Sequence, residues 1–116
     1  MHRENIEKYV DENRETIIEN IKRLVRIPST KGETLDNMPF GEGPDNALKE
    51  ALKIGEELGF TVKNYDGYVG TIDFAPDSPA QLDILAHLDV VPAPAEEWTV
   101  TQPFEPVVKD GKIYGR

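Results

Sequence analysis

The sequence contains no cysteine among its 116 residues. That absence excludes a disulfide framework, an iron–sulfur cluster and a cysteine-ligated zinc site, and it accords with a reducing compartment. Positive charge is also scarce, with 13 Lys and Arg against 22 Asp and Glu, a formal charge of −9. Nucleic-acid phosphates and anionic membrane surfaces repel such a chain, so neither is an expected partner. No apolar run approaches the roughly 18 residues of a membrane span. Met1-His2-Arg3-Glu4-Asn5 opens on charge, without the apolar stretch of a secretory signal. A cytoplasmic location is therefore expected. There is no Gly-x-Ser-x-Gly elbow, and Gly41-Glu42-Gly43 lacks the residues that complete a phosphate-binding fingerprint.

Apolar residues make up 38% of the chain, enough for one modest core. Ile6, Val10, Asn13, Ile17, Ile21 and Leu24 recur at intervals of 4, 3, 4, 4 and 3, which predicts one long amphipathic helix. Only Asn13 interrupts the stripe, and Pro28 ends the helix. Residues 29–43 carry no period and read as a loop. Pro44 sits where a first helical residue would sit, and Leu48, Ala51, Leu52, Gly55 and Leu58 give a second helix capped by Gly59. Its leucines are expected in the core. Ala47, Ala51 and Gly55 make one side small enough for close packing.

After Gly59 the period shifts towards two. Phe60–Tyr65 and Tyr68–Phe74 read as strands around Asp66-Gly67, a hairpin signal. Leu82–Ala86 looks like an interior strand. Residues 92–106 hold four prolines and read as irregular, and Asp110-Gly111 predicts a second hairpin between Val107-Val108 and Ile113-Tyr114. The expected fold class is α/β, two helices packed on a mixed β-sheet. The last hairpin arm stops at Gly115-Arg116, so the chain is expected to be part of a longer domain.

His87-Leu88-Asp89 is the main chemical candidate. On a continuing strand, His87 and Asp89 would share a face. Neutral imidazole is a standard zinc ligand, and a neighbouring carboxylate fixes its tautomer. Spacing alone favours the plainer reading, a hydrogen-bonded histidine near the sheet end with Asp89 capping the next turn. His2 is the other histidine, and zinc usually takes three or four protein ligands. No complete metal site is recognisable. Glu96 and Glu97 read as solvated surface, Ser29 and Thr30 as a helix-terminating turn, and Trp98 and Phe104 as a loop-anchoring cluster.

A longer pattern adds to this reading. His87-Leu88-Asp89-Val90-Val91-Pro92-Ala93, Trp98, Pro103-Phe104-Glu105-Pro106 and Asp110-Gly111-Lys112-Ile113-Tyr114-Gly115-Arg116 follow in one order. Together they resemble the first metal-site signature of the zinc metallopeptidase family that includes aminoacylase, carboxypeptidase G and succinyl-diaminopimelate desuccinylase. Leu24-Val25-Arg26-Ile27-Pro28-Ser29 resembles that family's first helix exit. Pro39-Phe40-Gly41-Glu42-Gly43-Pro44 resembles its bacterial, PepV-like dipeptidase branch.

The resemblance implies that residues 1–116 are the amino-terminal part of a zinc-exopeptidase catalytic domain, without its lid or dimerisation domain. It implies two Zn2+ per active site in the parent enzyme, a dipeptide or N-acyl amino acid substrate, and a possible homo-oligomer. His87 matches a metal ligand. Asp89 matches the catalytic-site residue that orients the metal-bound imidazole. The family's bridging aspartate and base glutamate would lie downstream, so the chain alone is expected to be inactive. The rival expectation is a non-catalytic α/β module that self-associates through an exposed strand edge.

Overall fold

The computed structural model describes residues 1–79 and 82–116. Three helices come first, α1 (His2–Glu12), α2 (Arg14–Val25) and α3 (Glu42–Glu57). Strands β1 (Thr61–Tyr65) and β2 (Val69–Asp73) form one antiparallel hairpin, and β3 (Val107–Lys109) and β4 (Lys112–Tyr114) form another. A 3₁₀ turn, Ala95–Glu97, lies between the hairpins.

The predicted long helix is broken at Asn13, which has φ −108° and ψ 10° and serves as C-cap of α1 and N-cap of α2. The Asn13 side chain donates to the Tyr9 carbonyl at 2.9 Å, beside the Asn13 backbone N–H at 3.0 Å. An asparagine amide competing for helix carbonyls favours such a boundary. The expected apolar stripe does not reach a core. Ile6, Val10, Ile17 and Ile21 are exposed, and α1 buries no residue.

Packing centres on α3. Among the described residues, Ala47 and Leu52 are the buried apolar side chains, both on this helix. Leu58, expected in the core, is half exposed at the helix end. The small face does admit close contact. A Cβ added at Gly55 would lie 3.0 Å from both Val62 and Ile72, and one at Gly70 would lie 2.7 Å from Leu48 and 2.9 Å from Leu52. The β1–β2 hairpin thus rests directly on α3. Arg23 of α2 reaches across to α3, bonding Glu50 at 2.6 Å and Glu57 at 2.5 Å.

Both hairpin turns form at the predicted Asp-Gly pairs. Asp66 and Gly67 have φ of 53° and 77°, and Asp110 and Gly111 have φ of 52° and 70°. Two successive positive φ values match the right-handed strand twist, and Asp-Gly tolerates them.

The α/β class stands, but the strands form two separate two-stranded antiparallel sheets instead of one mixed sheet. The predicted interior strand Leu82–Ala86 is not a strand. Neither hairpin pairs with it, and Leu82, Ile84 and Leu85 are 80%, 86% and 100% exposed. An interior strand needs neighbours to take up its backbone N–H and C=O groups. Without them, apolar composition does not produce one. The Cα radius of gyration is 16.3 Å, against about 13–14 Å for a compact chain of this length.

Candidate functional site

Residues 87–90 owe their position to the turn after α2. Ser29 is only 3% exposed. Its hydroxyl donates to the Leu88 carbonyl at 2.7 Å, and its own carbonyl accepts from the Val90 N–H at 3.2 Å. The turn is itself seated on α3. A Cβ at Gly43 would lie 2.3 Å from the Pro28 carbonyl oxygen and 3.2 Å from that of Thr30, so only glycine permits this approach.

His87 Nδ1 lies 3.0 Å from the Asp89 carbonyl oxygen and 3.2 Å from Asp89 Oδ1. Both neighbours accept, so in the neutral ring the proton belongs on Nδ1 and Nε2 keeps its lone pair. The His87 and Asp89 side chains are 83% and 62% exposed, so that lone pair is accessible. The two residues meet as their spacing predicted, although the backbone between them is not a strand.

The carboxyl end of β4 closes on the same place. An open cleft of about 360 Å³ is lined by His87, Asp89, Val90, Val91, Gly115 and Arg116. The Arg116 N–H donates to the Pro103 carbonyl at 2.7 Å, and a Cβ at Gly115 would meet Val25 of α2 at 2.5 Å. The first and last residues of the long motif are thereby neighbours in space. Among the described residues, no three His, Asp or Glu side chains gather to hold a metal. His2 lies on α1, and Glu96 and Glu97 are exposed on the 3₁₀ turn. A second cleft holds Asn37, Asp45, Lys49, Asn64, Asp66 and Gly67, where Lys49 pairs with the buried Asp45 at 2.6 Å.

Ser29 is the residue that sequence reasoning undervalued. A hydroxyl after Pro28 reads as a turn residue, and a contact made 59 positions away leaves no local trace.

Residues 84–116, which contain the whole cleft lining, match the sequence profile of peptidase family M20/M25/M40. The chain is also 38% identical over 114 residues to the putative dipeptidase YtjP of Bacillus subtilis, covering 97% of this chain and 24% of that protein. This chain is a relative of the M20/M25/M40 peptidases. A similar match joins it to the Beta-Ala-Xaa dipeptidase of Lactobacillus delbrueckii subsp. lactis, 32% identical over 117 residues, again 97% of this chain and 24% of the relative. An uncharacterized metallohydrolase of Methanocaldococcus jannaschii, MJ0457, is 53% identical over 45 residues, 39% of this chain and 10% of that protein. The M20-related chain thus spans about a quarter of the length of the dipeptidases it matches.

Proposed function

We propose that the chain is the amino-terminal part of the catalytic domain of a zinc-dependent dipeptidase, cytoplasmic, acting on dipeptides or related N-acyl amino acids. The observation that carries this reading is the His87–Asp89 pair, with Nδ1 satisfied and the exposed His87 ring lining the cleft. The dipeptidase names of the relatives support the substrate class.

The donor chemistry fits a metal in part. A neutral imidazole whose second nitrogen is held by a carboxylate is a favoured zinc ligand. His87 would be one of the three or four protein ligands zinc usually takes, and two zinc ions per site would require ligands from further residues of the parent enzyme. The chemistry supplied by a bound divalent metal is Lewis acidity towards the amide carbonyl and acidification of water. His87 presents its Nε2 lone pair. Asp89 holds the Nδ1 proton and so fixes the ring's tautomer and direction. Val90 and Val91 line part of the cleft with apolar side chains. With one such ligand, the 116-residue chain has no hydrolytic activity of its own.

Zinc titration by calorimetry of the full-length protein and its His87→Ala variant, beside dipeptide hydrolysis, tests this reading. Loss of one tightly bound zinc and of turnover in a folded variant is expected. Unchanged zinc binding would remove His87 from the site.

A second reading is favoured by β4, which among the described residues pairs with β3 alone and so leaves one edge open. In it, the chain is a non-catalytic module that pairs with a second copy through an unpaired strand edge. A monomer by light scattering at high concentration would exclude it.

A further inference from the structure

We propose that Ser29 is a positioning residue for this site, its hydroxyl setting where His87 and Asp89 point. The inference rests on the reading of His87 as a metal ligand. The Ser29 hydroxyl holds the peptide unit before Asp89, through the Leu88 carbonyl, and the Ser29 carbonyl holds the unit after it, through the Val90 N–H. Two neighbouring peptide planes fixed in this way leave little freedom in the φ and ψ of Asp89. The consequence reaches His87 directly. Its Nδ1 is bonded to the Asp89 carbonyl and carboxylate, and that carbonyl belongs to the peptide unit Ser29 holds.

Among the described residues, no strand pairing takes on this role. The segment before the pair, 82–86, has no strand partner among the described residues, and the His87 ring is open to solvent. Ser29, by contrast, is buried and anchored to α3 by the close approach of Gly43 to Pro28 and Thr30. The site's direction is inherited from this turn.

The test uses the full-length protein with four substitutions, Ser29→Ala, Ser29→Thr, Ser29→Val and, as reference, His87→Ala. Zinc dissociation constants come from competition with a chromophoric chelator, and the thermal midpoint of each zinc-free variant is recorded alongside. Ser29→Ala and Ser29→Val are expected to weaken the zinc held by His87 about tenfold, the lower end of the range for residues that orient metal ligands. Ser29→Thr keeps the hydroxyl and is expected to restore affinity. Thr and Val have nearly the same shape, so this pair isolates the hydroxyl even where Ser29→Ala does not accumulate as folded protein. Equal weakening by Thr and Val would overturn the inference. So would wild-type affinity in Ser29→Ala when His87→Ala has lost its zinc. If His87→Ala itself binds zinc normally, the metal reading falls and takes this inference with it.

Discussion

His87 Nδ1 and Asp89 Oδ1 stand 3.2 Å apart in a segment that forms no strand. Their pairing is therefore set by a local loop conformation, and Asp89 contributes a backbone and a side-chain acceptor to one ring. Replacing the carboxylate with an amide removes its charge while the backbone carbonyl remains. Asp89→Asn in the full-length protein is expected to lower zinc affinity or activity about 10–100-fold without loss of fold. Calorimetric zinc titration and dipeptide turnover measure this, and unchanged values would show that Asp89 has no part in the site.

Gly43 is the point where α3 touches the turn carrying Ser29. Gly43→Ala gains helix propensity, worth up to about 1 kcal/mol. Its methyl group would nevertheless sit 2.3 Å from a backbone oxygen, where no side chain can swing away. A net loss of about 1–2 kcal/mol is expected, since overpacking costs typically exceed the propensity gain. Urea unfolding of the two proteins gives the difference. A more stable variant would mean that the turn moves freely relative to α3.

The α2–α3 contact is expected to weaken in acid. The hydrogen bond from Arg23 holds the Glu57 carboxyl below its ordinary range, with smaller contributions from the charges of Arg23 and Lys53 against a desolvation that opposes them. A carboxyl depressed in the folded state adds stability above its unfolded pKa, about 4.3 for glutamate. That contribution is lost as pH falls through the lower, folded value. Thermal midpoints from pH 7 to pH 3 should therefore drop less steeply in Glu57→Gln than in the parent. Parallel curves would show that the exposed pair contributes nothing measurable.

Local features were the legible ones. Asp66-Gly67 and Asp110-Gly111 predict their turns because the required positive φ is a property of those two residues alone. The period of α3 survives for a similar reason, since Leu52 is buried beside Gly70 of the adjacent hairpin. The break at Asn13 was visible only as one polar residue in a stripe, and periodicity alone does not distinguish an interruption from an end. Leu82–Ala86 was misread because strand formation depends on neighbours that composition does not report. His87 and Asp89 were found by spacing and pattern. Their support from Ser29, Gly43 and the end of β4 is long-range and could be read only from the fold.

The exposed run also predicts behaviour in solution. Leu82, Ile84 and Leu85 present exposed apolar side chains close together in sequence, a surface that favours association. The 116-residue chain is expected to form dimers or larger species, and Ile84→Lys with Leu85→Lys to shift it towards monomer. Light scattering across a concentration series reads this directly. Oligomers that persist in the double variant would place the contact elsewhere, with the exposed Ile6 and Val10 face of α1 as the next candidate.

The bond between Ser29 and Leu88 joins positions 59 residues apart, and that separation has a kinetic meaning. Closing a flexible loop of such length carries an entropic cost that grows with its logarithm. Here the intervening chain contains α3 and the β1–β2 hairpin, both built from short-range contacts that form fast. Once they are in place, the remaining gap is much shorter. Refolding should therefore proceed outward from the α3–hairpin unit, with the His87–Asp89 segment among the last parts to settle. During synthesis the turn at Ser29 leaves the ribosome well before its partner, and stands ready to receive it.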